Sequence, residues 1–121
     1  MEKNKTQNDS KATLEHIAIN TKENIKIVKA SNILYLEASR NSTIVYLQNK
    51  TSFKAFKNLG YYEKLFKEIH FIKVHRSYLI NVAHLENIFK DKGGYYCVLK
   101  ENCIVPISNR KIPFIKKFLH F

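Results

Sequence analysis

Glycine is scarce in this chain. Three residues, at 60, 93 and 94, leave no glycine-rich loop that could cradle a phosphate chain. Cysteine is scarce too. Cys97 and Cys103 stand six positions apart with no second pair, which excludes a zinc ribbon. The histidines, at 16, 70, 75, 84 and 120, show no metal-ligand spacing with Cys, Asp or Glu. No metal or other cofactor is expected. No apolar run approaches the roughly 20 residues that cross a bilayer, and the opening Met-Glu-Lys-Asn-Lys-Thr-Gln-Asn-Asp-Ser has no apolar signal core. Membrane insertion is not expected. Two isolated thiols fit a reducing compartment, so the expected location is cytoplasmic.

Acids are the other shortage. Asp and Glu number 10 against 21 Lys and Arg, a formal charge of +11. Residues 1–24 hold four Lys and four acids and cancel, whereas residues 25–121 hold 17 basic and 6 acidic residues. The positive field therefore belongs to the folded part and not to a tail, and the expected partner is a polyanion. The plain alternative is a lysine-rich protein kept soluble by its charge. With so few acids a catalytic pair has little to draw on. His75 and Ser77, one residue apart, lack the base-and-orienter geometry of a triad. An enzyme is not expected.

At 121 residues the prior is one domain, long enough to bury a core without staples. Residues 1–24 read as a polar arm or linker, with room for a short strand near Leu14–Ile19. From Ile25 onward the apolar period is two. Short runs rich in β-branched and aromatic residues recur at a spacing of about ten, as in a small all-β domain. They are Ile25–Ile27, Ile33–Leu36, Thr43–Leu47, Thr51–Phe56, Phe71–Val74, Tyr78–Val82, Leu85–Phe89, Tyr95–Leu99 and Cys103–Ile107. One segment departs from this. Leu59, Tyr62, Leu65, Phe66 and Ile69 recur at three- and four-residue steps, which predicts an amphipathic helix of about ten residues capped by Asn58. Residues 112–119 suggest a short C-terminal helix with Pro113 in its first turn. If Glu101-Asn102 is a two-residue turn, Leu99 faces Ile104 and Cys97 lies opposite Pro106, so no disulfide is expected.

Three polar loops interrupt the apolar runs: Ser39-Arg40-Asn41-Ser42, His75-Arg76-Ser77 and Ser108-Asn109-Arg110-Lys111. Each sets one Arg among Ser or Asn. Arg can give two parallel hydrogen bonds to guanine, and Asn can pair with adenine in the same bidentate way. Ser and Lys, including Lys73 and Lys111, suit phosphates, and Ser108 precedes a helix N-terminus that favours an anion. Each loop taken alone also reads as a solvated turn. His75 also reads as a partly buried structural imidazole, and Asn81 as a turn tie. The tyrosines at 35, 46, 61, 62, 78, 95 and 96 suit base stacking, although at strand and helix spacing such rings are more often core or cross-strand packing.

The order of these elements resembles the LytTR family of bacterial DNA-binding domains. The likeness runs from Ile25 to Leu119. It is carried by Ser31-Asn32-Ile33-Leu34-Tyr35-Leu36-Glu37-Ala38, by the Asn41 turn and by the strand to Leu47. Phe71-Ile72-Lys73-Val74-His75-Arg76-Ser77-Tyr78-Leu79-Ile80-Asn81 and the end Val105-Pro106-Ile107-Ser108-Asn109-Arg110 complete it. The resemblance implies a mainly β fold, an elongated stack of small antiparallel sheets with one internal helix and a short C-terminal helix. It implies a domain over residues 25–121 that regulates transcription. Such domains put loops into successive major grooves of double-stranded DNA, often at direct-repeat promoter sites, with a dimer on DNA possible. By position, Arg40–Ser42 supply one groove contact and Arg110 the second. Arg76 and Ser77 lie between them, on the backbone or on a base through water. Asn109 stands where many members have a second basic residue, which leaves the base reader open among Asn109, Arg110 and Lys111. Residues 1–24 cannot form the receiver domain usual in the family, so the switch is missing or lies on another chain, as a sensor or receiver partner. The other reading of the basic loops is a general RNA or single-strand binding module.

Overall fold

Strict alternation in a strand sends neighbouring side chains to opposite faces, so a sheet with apolar residues at every position must be covered on both sides. The central strands of this protein have that pattern, and the structure covers them twice. The structure, a computed structural model, describes residues 15–121. In chain order the strands are β1 (His16–Asn20), β2 (Ile25–Lys29), β3 (Ile33–Ser39), β4 (Ser42–Leu47) and β5 (Thr51–Ala55), followed by helix α1 (Leu59–Leu65). Then come β6 (Phe71–His75), β7 (Tyr78–Asn81), β8 (Leu85–Asp91), β9 (Gly94–Leu99), β10 (Cys103–Ile107) and helix α2 (Ile112–Leu119). Among the described residues they form three antiparallel sheets, with orders β1-β2, β5-β4-β3-β7-β6 and β10-β9-β8. The fold is mainly β, as the sequence leads one to expect.

The five-stranded sheet is the middle layer. One face carries Leu36, Val45, Phe71 and Leu79 into a core shared with Ile17 and Ile19 of β1 and with Leu59, Tyr62 and Phe66 around α1. The other face carries Ile72, Val74 and Ile80 into a second core with Cys97, Leu99, Val105, Ile107 and Ile115. Adjacent residues such as Phe71 and Ile72 thus serve different cores. A register shift between Ile33 and Tyr35 lets Ile33 and Leu36, three positions apart, share the first core.

Several local readings are corrected. The strand expected near Leu14–Ile19 is β1; it pairs with β2 and packs into the first core, so this part of the polar segment belongs to the folded body. Leu14 and the rest of residues 1–14 lie outside the described residues. The helix is shorter than ten residues. α1 ends at Leu65, and a 3-10 turn, Lys67–Ile69, carries the chain on to His70. Asn58 is its N-cap, with its side chain accepting from Tyr61 N at 3.0 Å. The last hairpin is one residue out of the expected register. Cys103 faces Leu99, and Cys97 faces Val105, because the loop takes three residues, Lys100–Asn102. Both thiols are free, and burial pushes that of Cys97 up to about 12.

The glycine shortage shows in the turns. Eight non-glycine residues among those described take a positive φ, Asn49, Lys50, Glu101 and Asn102 among them. Each costs about 1–2 kcal/mol relative to glycine's freedom there, so tertiary packing has to hold these turns. Glu101 does this directly. Its carboxylate accepts from Asn49 N at 2.7 Å and Lys50 N at 3.2 Å, which ties the β9–β10 loop to the β4–β5 turn. Asn81 is a second tie. Buried, it donates to the carbonyls of Ala30 and Ile33 at 3.3 and 2.9 Å and accepts from Ala83 N at 3.0 Å.

Candidate nucleic-acid interface

Strand pairing decides where the three loops go. Ser39 faces Ser42 across β3 and β4, so Arg40-Asn41 is a two-residue turn at the end of β3. Arg40 holds φ 57, and Ser42 Oγ donates to Ser39 O at 3.1 Å across the turn. β7 runs antiparallel to β3 with Tyr78 opposite Glu37, so Arg76-Ser77, which precedes β7, emerges at the same sheet end. The amide of Ala38 donates to Ser77 O at 2.9 Å and fixes the two turns side by side. The third loop comes from the other sheet. The amide of Ser108 donates to Val74 O at 2.9 Å, and this brings Asn109, Arg110 and Lys111 beside the end of β6.

Arg40, Asn41, Arg76, Asn109 and Arg110 are exposed at this end, while Ser39, Ser42, His75, Ser77 and Lys111 are half-buried. All ten candidate residues are therefore brought to one end. Their roles differ. His75 Nδ1 accepts from Ser77 N at 3.1 Å, and the ring stands edge-on to Tyr78, 5.5 Å between centroids. His75 thus shapes the turn. Asn109–Lys111 form a 3-10 turn leading into α2, and Ser108 makes no side-chain cap bond there. Lys73 is not at this end of β6; its Nζ lies 3.6 Å from Glu63 Oε1 on α1.

Sequence reasoning missed cations that pairing alone brings in. Thr43 faces Ala55 across β4 and β5, and the buried Thr43 hydroxyl donates to Lys57 O at 2.9 Å. Lys57 thereby joins the same end. A cleft of about 700 Å³ beside Ser42 adds Lys22 and Lys54. No local pattern marks these lysines; the available signal was the strand register.

Behind the turns stands an aromatic cluster around one carboxylate. Tyr46 and Tyr78 donate their phenols to Glu37 at 2.8 and 3.1 Å, and Tyr35 stacks on Tyr46 at 4.3 Å. Burial, then the bond to Glu37, raises the Tyr46 phenol to about 12. These rings are cross-strand packing, as is the Phe89–Tyr96 stack.

No helix of the described residues is long and apolar enough to cross a membrane. No group of three His, Cys, Asp or Glu among them could hold a metal. The surface chemistry is that of exposed guanidinium and amide groups on short turns.

Known proteins resemble this chain in sequence and fold. The chain is 27% identical over 116 residues to the sensory transduction protein LytT of Bacillus subtilis, covering 95% of this chain and 48% of that protein. It is 26% identical over 112 residues to the transcriptional regulatory protein LytR of Staphylococcus aureus, covering 92% and 44%. The chain thus spans about half the length of the curated relatives it matches. Among solved structures, the LytTr DNA-binding domain of a Bacillus cereus protein described as a methyl-accepting/DNA response regulator superposes with a TM-score of 0.76 at 25% identity. The match covers 88% of this chain and 98% of that one. The description LytTr DNA-binding domain matches residues 23–120, nearly the whole described fold, and the chain belongs to that family.

Proposed function

We propose that this chain is a sequence-specific, double-stranded DNA-binding regulator of transcription that acts without catalysis. The observation that carries this reading is the main-chain bonding of the Arg76 and Arg110 loops to strands β3 and β6, beside the Arg40 turn at one end of the fold. Ala38 N to Ser77 O and Ser108 N to Val74 O, both 2.9 Å, hold the turns together before any ligand arrives. Preorganised donors lose little entropy on binding. Arg40 and Asn41 enter one major groove, and Arg110, with Asn109 and Lys111, enters the next. Arg76 and Ser77 lie between them on the backbone. Lys22, Lys54 and Lys57 add phosphate contacts.

The name of the LytR relative, a transcriptional regulatory protein, supports the transcriptional part of the reading. Direct-repeat promoter sites, a dimer on DNA, a sensor or receiver partner on another chain and a cytoplasmic location belong to the same proposal. The single-strand alternative needs exposed aromatic platforms. Behind the Arg40 and Arg76 turns, Tyr35, Tyr46 and Tyr78 are packed together instead, and the exposed rings of Tyr61 and Phe114 line the side cleft, which favours the duplex at the turns.

The test is selection of bound duplexes from a random pool. The winner is then competed against random duplex, single-stranded DNA and RNA at fixed salt, since affinities without a salt concentration mean little. The selected duplex is expected to win. Preference for single strands or RNA would refute the proposal.

A further inference from the structure

Strand β6 is an edge of the five-stranded sheet, and a cleft of about 870 Å³ runs along it between α1 and the start of α2. Tyr61, Lys64 and Lys67 form one wall, Lys111 and Phe114 the other, and Lys73 lies on the floor. Glu63 is the acid among the cleft-lining residues, and it is paired to Lys73. Both rings carry an ammonium above them. Lys57 Nζ lies 5.4 Å from the Tyr61 centroid and Lys111 Nζ 5.4 Å from that of Phe114.

The floor has unused backbone. His70 O accepts from Val82 N, so the alternation of an antiparallel pair turns Ile72 toward Ile80 on β7. Phe71 and Lys73 then direct their N–H and C=O groups outward into the cleft. A bulge beyond Lys73 reverses this, and Val74 O is taken by Ser108 N. Among the described residues, the edge is thus covered at the interface end and open over Phe71–Lys73.

We propose that this cleft docks an extended acidic peptide segment of a partner protein as a sixth strand on β6. An added strand hydrogen-bonds to the outward groups of Phe71 and Lys73. Its side chains alternate toward the α1 wall and the α2 wall. Each wall offers an aromatic ring and ammonium groups, which fits glutamate or aspartate interspersed with apolar residues. A nucleic-acid backbone would use the lysines but neither the strand edge nor its direction along β6. The proposal shares Lys57 and Lys111 with the DNA reading but uses the outward edge of β6, which that reading leaves free.

The test is titration of the full chain with a capped peptide of about eight residues, glutamate interspersed with valine. Backbone amides are followed by NMR. The amides of Phe71 and Lys73 are expected to shift and gain protection from exchange. Methylating alternate amides of the peptide, which keeps its charge, is expected to abolish binding. The exposed pair Lys64→Gln and Lys67→Gln is expected to weaken it about tenfold through lost charge-assisted contacts. Selective duplex binding should persist in that double variant, so failure here and failure of the DNA reading remain distinguishable. No binding, equal binding of the methylated peptide, or tighter binding of single-stranded DNA at this cleft would overturn the proposal.

Discussion

The main-chain amide of Ser108 donates to the carbonyl of Val74 at 2.9 Å and joins the three-stranded sheet to the five-stranded sheet where both end in basic turns. This bond relates the Arg110 loop to the Arg76 turn, which are more than thirty residues apart in the chain.

Ser108 tests that relation cleanly. Its φ of −70° and ψ of 139° suit proline, and Ile107 before it is extended in β10. Ser108→Pro therefore deletes the donor with little strain. A stability loss of about 0.5–1.5 kcal/mol is expected from one net hydrogen bond, with a larger loss of affinity for the selected duplex. Denaturant melts and anisotropy titrations on the same variant give both numbers. An affinity loss no larger than the stability loss would mean that the loop's position does not matter for binding.

Arg110→Ala should cost about 1–3 kcal/mol on the selected duplex and relax one base position, the usual value of a bidentate contact. Lys57→Ala should instead weaken all duplexes alike and lower the salt slope by about one. Binding is measured over a salt series with selected and random duplex. Equal losses on both for Arg110→Ala would remove its reading role.

Asn81→Ala leaves the buried carbonyl of Ile33 and the amide of Ala83 without this partner, while the Ala30 carbonyl keeps its bond from Ile33 N. The expected cost is about 2–3 kcal/mol, since stranding buried polar groups forfeits their solvation. Chemical denaturation reads it directly. Glu101→Ala is the companion control. Its exposed carboxylate binds Asn49 and Lys50 amides at the opposite end, so stability should fall by about 1 kcal/mol or less and duplex affinity should hold.

The phenol of Tyr46 sits at about 12, above its ordinary 10.0, chiefly through burial and then through its bond to Glu37. The folded state therefore holds this proton more tightly than the unfolded chain. The stabilisation is fully present below pH 10.0 and is lost as pH rises toward about 12. Cys97, raised from 9.0 to about 12 by burial, acts in the same direction. Tyr46→Phe should flatten the alkaline limb of a stability-against-pH curve, measured by urea melts between pH 9 and 12. An unchanged limb would place the titration elsewhere.

Much of this was legible without coordinates, and for a physical reason. Alternating apolar side chains and β-branched residues are local signals, so β3 to β10 could be read from period and turn residues. Asn58 as a cap follows from its side chain's reach to Tyr61 N, and that too is local. The loops at Arg40, Arg76 and Arg110 were visible as polar interruptions. Where local signals were weak, the reading slipped. The three-residue loop at Lys100–Asn102 moved the last hairpin by one position, because Glu101 at φ 64 takes a conformation that a glycine-poor sequence does not advertise. The strand near Leu14–Ile19 is legible as β1, but its place in the folded body is not, because its exposed His16, Ala18 and Asn20 outnumber the buried Ile17 and Ile19.

The sequence by itself determined the strand character, the glycine-poor turns and the excess of positive charge, since all three are properties of residues and their immediate neighbours. Only the tertiary structure decided which end of each strand faces which way. That brought Lys57 to the loops, set Lys73 against Glu63 and hung the Arg110 loop on Val74. Such pairings depend on contacts between segments distant in the chain, and no local pattern encodes them.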